Sequence, residues 1–149
     1  MFKFHPSRLY DQDTFYRQFH KDISRAHKRL IVESPFITAR RIASLLPVLT
    51  KLRRRGVDII INTKPLSEHT SGLYEQALES VSLLQDIGVR VLFTNGHHRK
   101  LAIVDDSILY EGSLNILSQN DSCELMRRID DKAAVSEMIR FIKLEKWCK

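Results

Sequence analysis

Cysteine is scarce: Cys123 and Cys148 are the only two in 149 residues. They form no CxxC pair and no zinc-type spacing, so neither a disulfide framework nor a cysteine-held metal is indicated. Both read as free thiols of a reducing compartment. Long apolar runs are missing as well. No stretch reaches the roughly 18 apolar residues of a membrane-spanning helix. The opening segment MFKFHPSRLYDQD lacks the apolar run of about 7–15 residues that a secretory signal needs. The expectation is a soluble cytoplasmic protein, or a domain cut from a larger one, without stable membrane insertion. Internal repeats, low-complexity tracts and linkers are absent too.

What is present is ordinary in amount and uneven in placement. Hydrophobic residues make up 43% and charged residues 28%, which argues against disorder and fibrous repeats. The length suits one domain over residues 1–149, with a sizeable core and one site. The net charge is +6, but residues 1–60 hold thirteen Lys/Arg against five Asp/Glu, and residues 61–149 hold eleven against thirteen. A basic end attracts polyanions. Nucleic acid is preferred over anionic lipid as the partner, because no basic amphipathic helix with a strong apolar face stands out.

Periodicity predicts an alternating chain. From Asp11 to His27, Phe15, Phe19 and Ile23 recur every four residues, a helical face with Asp11 and Asp13 available as caps. Arg29–Glu33 is a β-branched run closed by Ser34-Pro35. Thr38 to Arg55 returns to the helical period through Ile42, Leu45, Leu49 and Leu52, with Pro47 as a possible kink and Gly56 as the stop. Val57–Asn62 reads as a strand, and Leu73 to Leu84 as a helix ending before Gly88. Val89–Phe93, Leu101–Val104 and Ile108–Tyr110 read as strands separated by Asn95-Gly96 and Asp105-Asp106, with hairpin pairing. A strand near Glu124–Ile129 and a helix from Asp131 to Trp147 complete an α/β layered domain, its mixed sheet parallel early and antiparallel late.

Within the strand-rich part, His98, Lys100 and Asp105 form H-x-K-x4-D, and after six intervening residues Gly112, Ser113 and Asn115 form G-S-x-N. Six specified residues at fixed spacing occur by chance at odds on the order of 10⁻⁵ to 10⁻⁶. The spacing also has a physical sense. On an extended chain His98 and Lys100 point the same way, towards one phosphate-sized target. A turn at Asp105-Asp106 folds the chain back, and Gly112 permits a close exit that brings Ser113 and Asn115 alongside. Lysine supplies a point charge, serine and asparagine supply neutral donors, and imidazole can attack phosphorus or move protons near neutral pH. A metal held by His97, His98, Asp105 and Asp106 is disfavoured, since adjacent histidines diverge and Lys100 would repel a cation. His97 falls on the opposite face from His98 and reads as structural or solvent-facing.

This pattern resembles the signature of the phospholipase D and nuclease superfamily, and the alternating first ninety residues are similar to that family's one-motif nucleases. The resemblance implies a phospholipase D-like layered fold, a mixed β-sheet flanked by helices, and a metal-independent phosphodiesterase with no cofactor. It implies that His98 becomes transiently phosphorylated while a second histidine protonates the leaving oxygen. With one motif in the chain, that second histidine is implied to come from a homodimer whose site lies on the two-fold axis. The implied catalytic set is His98, Lys100, Asp105, Ser113, Asn115 and Glu124. Lys100, Ser113 and Asn115 would bind substrate, Asp105 would fix the hairpin and its network, and Glu124 would orient the histidine. DNA or RNA is the expected substrate. A phospholipid hydrolase or phosphatidyltransferase is one alternative, and a non-catalytic nucleic-acid-binding module of a larger DNA-processing assembly, such as a helicase or restriction system, is another. Of the remaining features, Lys51–Arg55 suits either a helix dipole or a nucleic-acid contact. His5, His20, His27 and His69 read as surface or capping residues, and Trp147 as a packing residue.

Overall fold

The structure is a computed structural model that describes residues 6–118 and 122–143. His5, Trp147, Cys148 and the end of the last expected helix lie outside the described residues. In chain order the elements are β1 Ser7–Asp11, α1 Phe15–Ser24, β2 Arg29–Glu33, α2 Ala39–Arg54, β3 Asp58–Thr63, α3 Ser71–Asp86, β4 Arg90–Phe93, β5 Leu101–Val104, β6 Ile108–Gly112, β7 Leu125–Asp130 and α4 Lys132–Ile142.

The aliphatic runs of β2, β3 and β4 lie side by side and parallel, because α2 and α3 each return the chain to its starting end. On the other flank of β2 the sheet turns antiparallel. Leu30 pairs with Val104 and Glu33 with Leu101, and β6, β7 and β1 follow outward, giving the order β1-β7-β6-β5-β2-β3-β4. The mixed sheet is as the sequence implied. One of its faces packs Leu30, Val32, Ile59, Ile61, Ala102, Tyr110 and Met126 under α1, α2 and α3. The opposite face packs Ile31, Ile60, Leu101, Ile103 and Leu109 against Val135 and Ile142 of α4. Alternate residues of each strand serve opposite faces, and both faces are apolar, which is why β2 and β3 read as continuous hydrophobic runs.

A polar tie joins α1 to the far side of the sheet. Arg128 of β7 donates twice to the buried Asp22 carboxylate, at 2.7 and 3.0 Å, and the Tyr110 hydroxyl donates to the same group. The Tyr110 ring, fully buried, meets Phe15 and Phe19 edge-on. No helix among the described residues is long and apolar enough to cross a membrane.

Two features depart from expectation. The segment before α1 is a strand, β1, pairing Ser7 with Ile129 and Asp11 with Leu125. Its side chains are mostly exposed, so no apolar alternation announces it. Residues 94–100, read as containing a turn between neighbouring strands, are instead a crossover. β4 is an edge strand, and the chain passes over the ends of β3 and β2 before entering β5. Helix α2 continues through Pro47, which lies on its exposed side.

At the exit of β6, Gly112 pairs with Met126. A Cβ built there would stand 2.2 Å from the Leu125 carbonyl oxygen and 2.9 Å from Met126 Cα. The glycine is needed for close backbone approach, as the spacing suggested. Gly112→Ala is expected to lower stability by about 2–3 kcal/mol through forced separation of β6 and β7. An unchanged urea-unfolding midpoint would contradict this.

Candidate active site

The crossover of residues 94–100 lies over the C-terminal ends of the parallel strands, at the point where β2 has β3 on one side and β5 on the other. Open α/β sheets commonly place ligands at such a point. Each step of the loop is held. Thr94 N–H donates to Thr63 O and His97 N–H to Thr94 O. Gly96, with φ of 67°, donates its N–H to the Glu68 carboxylate at 3.0 Å. Gly112 N–H donates to Lys100 O at 3.4 Å, setting the exit of β6 beside the lysine.

Beneath the loop, at the end of β2, Glu33 is fully buried. Burial raises its pKa, while Arg99 and Asn62 oppose the rise by hydrogen bonding to the carboxylate. The Arg99 guanidinium spans both oxygens, Nε at 2.9 Å and Nη2 at 3.0 Å. His97 is buried beside them at 4% exposure; its Nε2 lies 3.5 Å from Glu33 Oε2 and makes no hydrogen bond among the described residues, while the ring is hydrogen-bonded to the Asn62 backbone. Burial, helped by the nearby Arg99 charge, pushes the His97 pKa down to about 4, so the ring is neutral at pH 7. Side chains 97 and 99 therefore both turn towards Glu33, His97 buried and Arg99 partly exposed, and alternation turns His98 the other way. His98 is exposed, and its ring makes no hydrogen bond among the described residues. Lys100 Nζ folds back to donate to the His98 carbonyl at 2.9 Å. His98, Lys100 and Gly112 share an open groove of about 490 Å³ whose other walls include Leu125, Arg127 and Phe141.

The remaining expected residues are placed differently from one another. Ser113 fastens the exit of β6 to the start of β7: its N–H donates to Leu125 O at 2.9 Å, and its Oγ accepts from Leu125 N–H at 3.0 Å. Its hydroxyl in turn donates to Leu125 O at 3.4 Å, a long bond. Asn115 is half-buried, and its Oδ1 is enclosed without a hydrogen-bond partner among the described residues. The main chain around it is tied to α1 through the Tyr16 hydroxyl, which donates to Ile116 O at 2.7 Å. Burial pushes the Tyr16 phenol up to about 12, against the pull of the Arg41 guanidinium, so it stays a donor. Glu124 lies just before β7, its N–H held by Gln12 Oε1 at 2.9 Å. Its carboxylate makes no hydrogen bond or ion pair among the described residues, and no contact with His98 accompanies the orienting role implied for it.

Asp105 stands apart from the others. It closes β5 at the end remote from Lys100, about 16 Å along the strand. With φ of 54°, it turns its carboxylate to accept from Lys28 N–H at 2.8 Å and Arg29 N–H at 3.1 Å, with His27 Nδ1 at 3.0 Å. It fixes the hairpin and the start of β2, and it is too far away to touch a group on His98. The residues that the sequence reading missed are Glu33 and Arg99. Their signal was a carboxylate ending an otherwise apolar strand, which demands a partner, and an arginine whose alternation opposes His98. His69, expected in a surface or capping role, is buried against Phe36 and caps the short turn Leu66–Glu68, its N–H donating to Leu66 O.

The pairing of buried Glu33 with the partly exposed Arg99 yields a prediction. Arg99→Met strands the Glu33 carboxylate and is expected to cost about 2–3 kcal/mol at pH 7.5, less than a fully buried pair because water reaches the guanidinium side. A carboxyl whose folded pKa is raised stabilises the fold below that pKa and loses the benefit as pH rises. The penalty should therefore shrink on acidification, and adding Glu33→Gln should restore much of the loss. A pH-independent loss under about 1 kcal/mol in chemical unfolding would contradict the pairing.

Comparison with solved structures places this geometry. The chain is similar to the phospholipase D family member Nuc from Salmonella typhimurium, with 15% identity, TM-score 0.77, and 95% of this chain and 93% of that chain covered. It is similar to NucT from Helicobacter pylori, with 20% identity, TM-score 0.72 and 94% of each chain covered. It is also similar to the phosphatidylserine synthase of Haemophilus influenzae Rd KW20, with 15% identity, TM-score 0.63, and 93% of this chain and 38% of that chain covered. At these identities the likeness establishes the fold. No curated protein matches the chain. The family model described as "Cardiolipin synthase, PLD-like domain" matches residues 19–145, which take in the crossover, the Glu33–Arg99 pair and the groove, and the chain belongs to the phospholipase D-like family of that model.

Proposed function

We propose that the chain is a metal-independent nuclease that cleaves DNA or RNA through a phosphohistidine intermediate. The observation that carries this reading is an outward-turned imidazole, His98, with Lys100 beside it on an open groove, both held by a loop clamped from below. One ring nitrogen of His98 attacks phosphorus, a P–N bond forms and the P–O bond to the leaving strand breaks. The leaving oxygen takes a proton from a second histidine. Water then attacks phosphorus, giving its proton to that second histidine as the P–N bond breaks. Lys100 neutralises nonbridging oxygens, and Ser113 and Asn115 supply the neutral contacts that hold them.

The second histidine is His98 of another copy, because the chain carries the motif once. Supporting this, Leu9, Leu125 and Phe141 are 57%, 54% and 72% exposed on the α4 side of the sheet, and Leu125 and Phe141 border the groove. They offer a self-complementary apolar face next to the site. The same apolar border favours a second reading, transfer or hydrolysis of a phosphatidyl group, with acyl chains lying against Leu125 and Phe141. The likeness to a phosphatidylserine synthase and the family model's description agree with that alternative.

The test is incubation of purified protein with labelled single- and double-stranded DNA and RNA in EDTA, with light scattering for subunit number. Cleavage by a dimer is expected, falling by roughly 10³-fold or more in His98→Ala. Retained cleavage in that variant, or cleavage only after metal addition, would refute the reading. Turnover of lipid vesicles without turnover of nucleic acid would decide for the phosphatidyl enzyme.

A further inference from the structure

The helical layer over the sheet is divided by charge. Helix α2 contains no acidic residue, and the one acid of α1, Asp22, is buried and taken by Arg128. Exposed on α1, α2 and the residue after α1 are Arg17, Lys21, Arg25, Arg40, Lys51 and Arg54. None of these six forms an ion pair among the described residues. Helix α3 is the reverse: Glu75, Glu79 and Asp86 are exposed on it, and it carries no lysine or arginine.

The basic residues of α2 are ordered. Arg40, Ser44, Pro47, Lys51 and Arg54 recur at alternating intervals of four and three along the exposed side, which is one stripe of an α-helix. The stripe begins at the site. Thr38 N–H, just before α2, donates to Leu117 O, two residues past Asn115, at 2.9 Å. It ends at the opposite end of the sheet, about 21 Å away at 1.5 Å per residue. Interaction with the helix dipole accounts for Lys51 and Arg54 in the last turn, but a cation in the first turn, such as Arg40, is opposed by that dipole. Two other arginines of the basic run are structural. Arg53 donates to Val57 O at 2.8 Å, and Arg55 donates to Ser24 O and Ala26 O at 3.0 and 2.7 Å, drawing the ends of α1 and α2 together.

We propose that the α1–α2 face is a track for the phosphate backbone of a nucleic-acid strand running on from the site, with Arg40 nearest the reacting phosphate and Lys51 and Arg54 farthest from it. This rests on the nuclease reading and adds a dimension to it. At about 3.4 Å per phosphate along one strand, the stripe spans roughly six nucleotides. Substrates shorter than that beyond the reacting phosphate lose the distal contact.

Binding is measured in the 149-residue chain carrying His98→Ala, which separates affinity from turnover, by anisotropy of a labelled 30-nucleotide DNA strand and its duplex across a sodium chloride series. Adding Lys51→Gln and Arg54→Gln together is expected to weaken binding. It should also flatten the slope of log affinity against log salt by about 1.4 for the single strand and about 1.8 for the duplex, the release expected for two phosphate contacts. Glu75→Gln with Glu79→Gln on α3 is the control and should leave the slope as it was. Tight binding with an unchanged slope in the Lys51/Arg54 variant overturns the track and leaves the nuclease reading standing. No binding of either DNA form or of matching RNA, with bis(4-nitrophenyl) phosphate still hydrolysed by the protein with His98 intact, overturns both. Vesicles containing anionic phospholipid, run in parallel, would then show whether the face serves a membrane.

Discussion

A carboxylate without solvent exposure stands at the end of β2, and the site depends on how it is neutralised. Glu33 cannot remain ionised there without a partner, and the partner is Arg99, whose guanidinium matches both oxygens. That pairing determines which way residues 97, 98 and 99 face. With Arg99 turned down to Glu33 and His97 packed neutral beside it, backbone alternation leaves His98 facing out. Lys100 follows on the same side as His98 and enters β5 already oriented. The outward position of His98 is thus a consequence of an ion pair formed beneath it.

The crossover that carries this stretch exists because of sheet order. β4 ends at an edge, and the next strand belongs on the other flank of β2, so the chain has to pass over the ends of β3 and β2 to reach it. The local sequence around Asn95-Gly96 looks like a tight turn, and nothing in it records that the following strand pairs with a segment some seventy residues earlier. β1 was illegible for a related reason. Its partner is β7, at the other end of the chain, and its exposed side chains carry no apolar alternation. By contrast, α1, α2, α3 and the strands β2, β3 and β5 were legible, because each buries a face whose period is set by the backbone itself.

The motif was legible through spacing, but spacing does not distinguish what each residue does. His98, Lys100 and Gly112 meet at one groove, whereas Asp105 stands at the remote end of β5 holding the start of β2. Ser113 serves the junction of β6 and β7. The basic residues divide in the same way. Arg53 and Arg55 satisfy backbone carbonyls at helix ends, while Arg40, Lys51 and Arg54 line an outward stripe. The sequence left Lys51–Arg55 open between a helix-dipole role and a nucleic-acid contact, and only the fold separates the cations that satisfy carbonyls from those on the outward stripe.

The central claim, that His98 itself forms a bond to phosphorus, is tested most directly by the stereochemical course of the reaction. A phosphorothioate diester of known configuration is cleaved in oxygen-18 water, and the configuration of the product is determined. Attack by His98 followed by attack by water is two in-line displacements, and the account predicts retention at phosphorus. Inversion would mean a single displacement by water, and His98 would then act on protons alone.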